Sequence, residues 1–133
     1  MDDSDVLVID RTREVRRIEL QGHVLDHPSA LVMDSNCTAW VANTEAQSIW
    51  SLGVTQPFSA IKRLQLSQDV QALALDEKGN MMYAVFEGDA RLLAIQWTNS
   101  SKKEATLSWH SSTLLAQPKE LAFDRTTRTL YIT

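Results

Sequence analysis

One cysteine, Cys37, stands in the whole sequence. That excludes an intrachain disulfide and a thiolate metal cluster, and a reducing, cytoplasmic compartment is the default expectation. Two glycosylation sequons, Asn36-Cys37-Thr38 and Asn99-Ser100-Ser101, pull the other way if the chain is a fragment of a secreted protein, because both fall in turns. Basic charge is also scarce: 13 Lys and Arg against 17 Asp and Glu, for a net charge of −4. Nucleic acid asks for a basic patch or stripe. Here the close basic groupings, Arg11, Arg13, Arg16, Arg17 and Lys102, Lys103, sit beside Glu14, Glu19 and Glu104. They read as solvated turns and outer strand faces, so no nucleic acid partner is expected. No apolar run approaches the roughly 20 residues of a membrane helix. The opening Met1-Asp2-Asp3-Ser4-Asp5 lacks the basic region and apolar stretch of a signal peptide. Also missing are a Gly-x-Ser-x-Gly elbow, a phosphate-binding glycine loop, a paired metal motif and a capped helical period.

What is present is repetition. In 133 residues, 44% hydrophobic and 23% charged, a soluble globular chain the size of one domain is expected. Three segments align without gaps: Pro28-Ser29-Ala30-Leu31-Val32-Met33-Asp34, Val70-Gln71-Ala72-Leu73-Ala74-Leu75-Asp76 and Pro118-Lys119-Glu120-Leu121-Ala122-Phe123-Asp124. Asp34 to Asp76 is 42 residues and Asp76 to Asp124 is 48, a period that suits one propeller blade. A short polar turn follows each Asp, whose carboxylate can accept turn N–H groups. An aromatic strand follows each turn: Ala39 to Asn43, Met82 to Phe86 and Leu130 to Thr133. Third strands are expected at Ser48 to Leu52 and Arg91 to Trp97, and fourth strands at Ala60 to Leu66 and Ala105 to Trp109, with the alternation of a half-exposed outer strand. Val6 to Asp10 and Val15 to Leu20 make a third and fourth strand without a first and second.

The reading is therefore all-β, a β-propeller segment of antiparallel blades in the order c-d, a-b-c-d, a-b-c-d, a-b. It is taken as one partial domain over residues 1–133, with repeats at about 6–20, 28–66, 70–110 and 118–133. Trp40, Tyr83 and Tyr131 fall at equivalent places on strand b and are expected between blades. Trp97 and Trp109, near strand ends, either pack across strands or form an exposed patch.

Val6-Leu7-Val8-Ile9-Asp10, Val15-Arg16-Arg17-Ile18-Glu19-Leu20, Pro28-Ser29-Ala30-Leu31 and Trp40-Val41-Ala42-Asn43 resemble the YVTN-type propeller repeat. The second and third repeats also resemble NHL and related propellers. One departure is that the polar residue ending strand b, Asn43, is Phe86 in the next repeat. The resemblance implies a six- or seven-bladed ring whose ligands sit where the d-to-a and b-to-c loops meet the central channel. Those loops supply His23, Asp26, His27, Asn43, Glu45, Gln47, Asp69, Glu87, Asp89 and Gln117, with no Lys or Arg among them. Such a cluster can recognise a basic peptide, coordinate a hard cation or supply acid/base groups. The expected function is binding or scaffolding of a protein or peptide through Asp26, His27, Glu45, Asp69, Glu87 and Asp89, with no cofactor. The alternative is part of a propeller enzyme, a lactonase-like hydrolase or lyase. It would hold a divalent cation, calcium or zinc, on Asn43, Glu45, Asp69 and Glu87. No catalytic residue is assigned. Because rings close with four to eight blades, the chain is expected to be either a fragment of a larger propeller or one half of a homodimer completing six blades.

Overall fold

The computed structural model describes residues 6–9, 11–18, 25, 27–43, 47–53, 59–98 and 104–133. Its regular structure is entirely strand: β1 (Val6–Ile9), β2 (Val15–Ile18), β3 (Pro28–Met33), β4 (Thr38–Asn43), β5 (Ser48–Gly53), β6 (Ser59–Gln65), β7 (Val70–Asp76), β8 (Met81–Phe86), β9 (Arg91–Trp97), β10 (Ala105–Ser111), β11 (Leu121–Asp124) and β12 (Thr129–Ile132). They form antiparallel sheets in the orders β1-β2, β3-β4-β5-β6, β7-β8-β9-β10 and β11-β12. This is the c-d, a-b-c-d, a-b-c-d, a-b succession expected from the alternating pattern.

The aspartates at the seventh place of each repeat tie the a-to-b turns. Asp34 Oδ1 accepts from the N–H groups of Asn36 and Thr38, both at 2.9 Å. Asp76 Oδ1 accepts from Gly79 N at 3.1 Å, and Asp124 Oδ1 from Thr126 N at 2.9 Å. That last bond holds the Asp124 carboxyl below its ordinary range. The same turns link one sheet to the next. Ser35 donates through its N–H and hydroxyl to Glu77, and Arg128 Nη2 donates to Asp76 Oδ2 at 2.8 Å.

Each inner strand opens on a bulge that the repeat pattern did not show. Pairing slips between Pro28 and Ala30 in one sheet and between Val70 and Ala72 in the next. In the third, Lys119 N donates to Thr133 O at 2.7 Å while Thr133 N donates to Glu120 O at 3.1 Å. The extra residue is therefore Ser29, Gln71 or Lys119, one at the loop-facing end of each inner strand. Bulges re-aim a side chain and add local twist; the regular pairing of β11 begins after its bulge, at Leu121.

Hydrophobic layers lie between the sheets. Trp40 and Ile49 meet Leu73, Met82, Phe86, Ile95 and Trp97. Val6 and Leu25 cover Val41 and Leu52, while Leu121, Leu130 and Ile132 pack on Ala72, Val85 and Leu92. Each large apolar side chain buried this way contributes about 1.5–3 kcal/mol. Trp40 and Trp97 rings lie 5.6 Å apart across the first of these layers, and Tyr83 stacks on Phe123 at 6.2 Å across the last. Two of the three strand-b aromatics thus pack between blades, whereas Tyr131 is exposed. The inner strands β3, β7 and β11 stand side by side, with Ser29 Oγ donating to Val70 O at 3.0 Å.

Candidate functional site

The loops at the bulged ends of the inner strands form a bonded frame rather than a loose fringe. Leu66 N donates to Gln47 O at 2.7 Å, and Gln65 Nε2 donates to the same carbonyl at 3.1 Å. Gln47 Nε2 in turn donates to Asp69 Oδ1 at 3.0 Å, so the b-to-c loop of one sheet grips the entry to the next. Glu87 N donates to Asp69 O at 3.1 Å, fixing the turn before β9. Gly88 holds φ at 76° in that turn. A side chain there would meet no atom but would pay the left-handed penalty of roughly 1–2 kcal/mol.

Beyond the turn, Asp89 and Arg91 form a two-pronged clamp. Arg91 Nε donates to Asp89 Oδ1 at 3.0 Å and Arg91 Nη2 to Oδ2 at 2.8 Å, while Arg91 N also reaches Oδ1 at 2.9 Å. The guanidinium lies 4.2 Å over the Trp109 ring, and Trp109 leans on Phe86 at 5.3 Å. Between this aromatic wall and Gln65, Leu66, Ser67 and Gln68 lies a groove of about 300 Å3, also lined by Leu107.

The Arg91 hydrogen bond holds the Asp89 carboxyl down to about 2. A carboxyl depressed in the folded state adds stability above its unfolded value, and that contribution disappears as pH falls. The clamp is therefore intact at pH 4 and opens as pH drops through about 2. Carboxyl chemical shifts read by NMR titration check this, with Asp89 titrating below the exposed carboxylates.

The acidic loop face anticipated from sequence is partly assembled. Asp69, Glu87 and Asp89 come together there, and Asn43 is buried at the end of β4. His27 is exposed with φ at 54°. Glu45, Asp26 and His23 lie outside the described residues. One expectation is corrected: the loop face was read as free of Lys and Arg, yet Arg91 neutralises Asp89. Arg91 opens β9 and stands two residues after Asp89, so the chain's own turn delivers the cation; the Asp-x-Arg spacing was the available signal. The two late tryptophans also divide. Trp97 is buried with its Nε1 unpartnered among the described residues, and Trp109 keeps 40% of its surface exposed. Among the described residues no three His, Cys, Asp or Glu side chains are grouped to hold a metal ion. On the inner wall, a second cavity of about 260 Å3 runs along β3, β7 and β11, with Glu77 and Arg125 at its end.

No protein-family model and no curated protein matches this sequence. Solved structures do resemble it. A nidogen/laminin complex aligns with 14% identity and a TM-score of 0.75, over 96% of this chain and 48% of that one. A luciferin-regenerating enzyme aligns with 11% identity and a TM-score of 0.73, over 97% and 43%. Virginiamycin B lyase from Staphylococcus aureus aligns with 10% identity and a TM-score of 0.68, over 98% and 42%. The chain spans less than half the length of each of these neighbours. At such identities the likeness is one of fold, and the fold is a run of β-propeller blades.

Proposed function

We propose that these blades, kin to YVTN-type propellers by their repeat pattern, form a binding module that holds a protein or peptide partner on the loop face. The observation that carries the reading is the state of the three described carboxylates. Asp89 is neutralised by Arg91 and Asp69 is held by Gln47, whereas Glu87 is exposed on a fixed turn with no side-chain partner among the described residues. A preorganised charge of this kind suits a basic group on a partner, because ordering the turn costs nothing further on binding. The nidogen/laminin neighbour, solved as a protein complex, supports the same reading.

The test is an array of Lys- and Arg-rich peptides probed with the intact chain. Retention is expected to fall about tenfold in Glu87→Lys, equivalent to about 1.4 kcal/mol. Absence of retention by the unaltered chain, or equal retention by the variant, would overturn the reading. The enzyme alternative draws support from the lyase and luciferin-regenerating neighbours. It would place calcium or zinc on Asn43, Glu45, Asp69 and Glu87. A rise in melting temperature with either metal, abolished in Glu87→Lys, would favour it over the binding module.

A further inference from the structure

The free edge of β10 is a surface that the loop-face reading does not use. β10 is the outermost strand of its sheet. Edge strands offer a row of unpaired N–H and C=O groups and are ordinarily blunted by charge, proline or bulges. The chain's other described outer strand of a four-stranded sheet is blunted in this way. β6 carries Lys62 and Arg63, and its pairing with β5 slips between Ile49 and Trp50. β10 has none of these devices. Ala105-Thr106-Leu107-Ser108-Trp109-His110-Ser111 contains no Lys, Arg, Asp, Glu, Gly or Pro, and all seven residues pair with β9 in one unbroken register. Every residue after Ala105 is exposed.

We propose that β10 pairs antiparallel with β10 of a second copy of this chain, about a two-fold axis through Ser108. The strand is self-complementary in that register. Leu107 falls opposite Trp109 on the face shared with the groove, and Thr106 falls opposite His110 on the other. Ser108 meets Ser108 of the second copy, and no like charges are brought together. The groove offers an apolar side chain a seat and a small polar ligand little purchase. Gln65 Nε2 is engaged by Gln47 O and Leu66 O, and Gln68 is engaged by Asp89. Leu66, Ser67, Phe86, Leu107 and Trp109 make up the rest of its lining, apolar but for the one serine.

Sedimentation velocity across a concentration series tests the pairing. The unaltered chain is expected to form a reversible dimer in the micromolar range. Ser108→Lys and Ser108→Glu each place like charges opposite one another and are expected to weaken it about tenfold or more. An equimolar mixture of the two variants restores it, because Lys then faces Glu. Hydrogen exchange on the unaltered chain gives a reading without substitution, with β10 amides gaining protection as concentration rises. A monomer at all concentrations, a dimer untouched by both charges, no recovery on mixing, or unchanged β10 exchange would each overturn the proposal. A dimer untouched by the charges would assign self-association to another edge, such as β1 or β12.

Discussion

Phe86→Ala is expected to lower the unfolding free energy by about 3–5 kcal/mol, the largest effect of any single change considered for this chain. Phe86 is 1% exposed and belongs to the layer between the two four-stranded sheets. Truncation removes its transfer energy and leaves a void beneath Trp109 that the hydrogen-bonded strands around it cannot collapse to fill. The loss is local as well as global. Trp109 rests on Phe86 and carries Arg91 on its ring, so the groove loses its floor. Urea denaturation followed by circular dichroism measures the first effect, and a red shift of tryptophan emission without denaturant measures the second. A change below about 1 kcal/mol would show that the inter-sheet layer does not depend on this side chain. Asn43 occupies the equivalent place in the preceding repeat and is also buried. That position therefore requires burial without requiring one kind of side chain.

The strands were readable because they are local. Alternation and turn residues depend on neighbours in the chain, and the aspartates Asp34, Asp76 and Asp124 marked each a-to-b turn before any pairing was known. The bulges at Ser29, Gln71 and Lys119 were not readable, since a bulge is a hydrogen-bonding arrangement across two strands and leaves no fixed composition. The fates of Trp97 and Trp109 likewise depend on distance from the axis. Trp97 lies on a third strand, close enough to the neighbouring sheet to meet Trp40. Trp109 lies on the outermost strand, where it is 40% exposed. The candidate site was legible as a loop set, because the repeat dictates which loops share a face. Which carboxylate stays available was legible only in part: the Asp-x-Arg spacing signals the Asp89 pairing, whereas the bond from Gln47 to Asp69 joins residues far apart in the chain.

The same dependence on neighbouring sheets makes Asp76 the second sensitive point. Asp76→Ala is expected to cost about 2–3 kcal/mol, within the range for losing hydrogen bonds to a charged group. The Asp76 side chain is 7% exposed and joins its own turn, through Gly79 N, to the last two-stranded sheet, through Arg128. Space around the pair is closed: a Cβ on Gly79 would lie 2.6 Å from Asp76 Oδ2 and 2.7 Å from Arg128 Nη2. Asp34 makes the turn bond and accepts from Trp40 Nε1, and among the described residues it is paired with no guanidinium. Asp76→Asn separates the two roles, since an amide oxygen still accepts from Gly79 N while the charge that draws Arg128 is gone. It should therefore recover part of the stability lost in Asp76→Ala. Tyr83 supplies a reporter of that charge, read most cleanly in Asp76→Asn, which keeps the size of the side chain. Its hydroxyl is raised above the ordinary value by burial first and by the Asp76 carboxylate second. Removing that negative charge brings the Tyr83 titration down toward its usual position. Ultraviolet titration of both variants, set beside urea denaturation, reads charge and stability separately. An asparagine variant as stable as the unaltered chain, with an unmoved Tyr83, would show that the Asp76 charge contributes nothing to the link. Partial recovery in asparagine, short of the unaltered chain, with a lowered Tyr83 would place its charge in the link between the second full sheet and β11-β12.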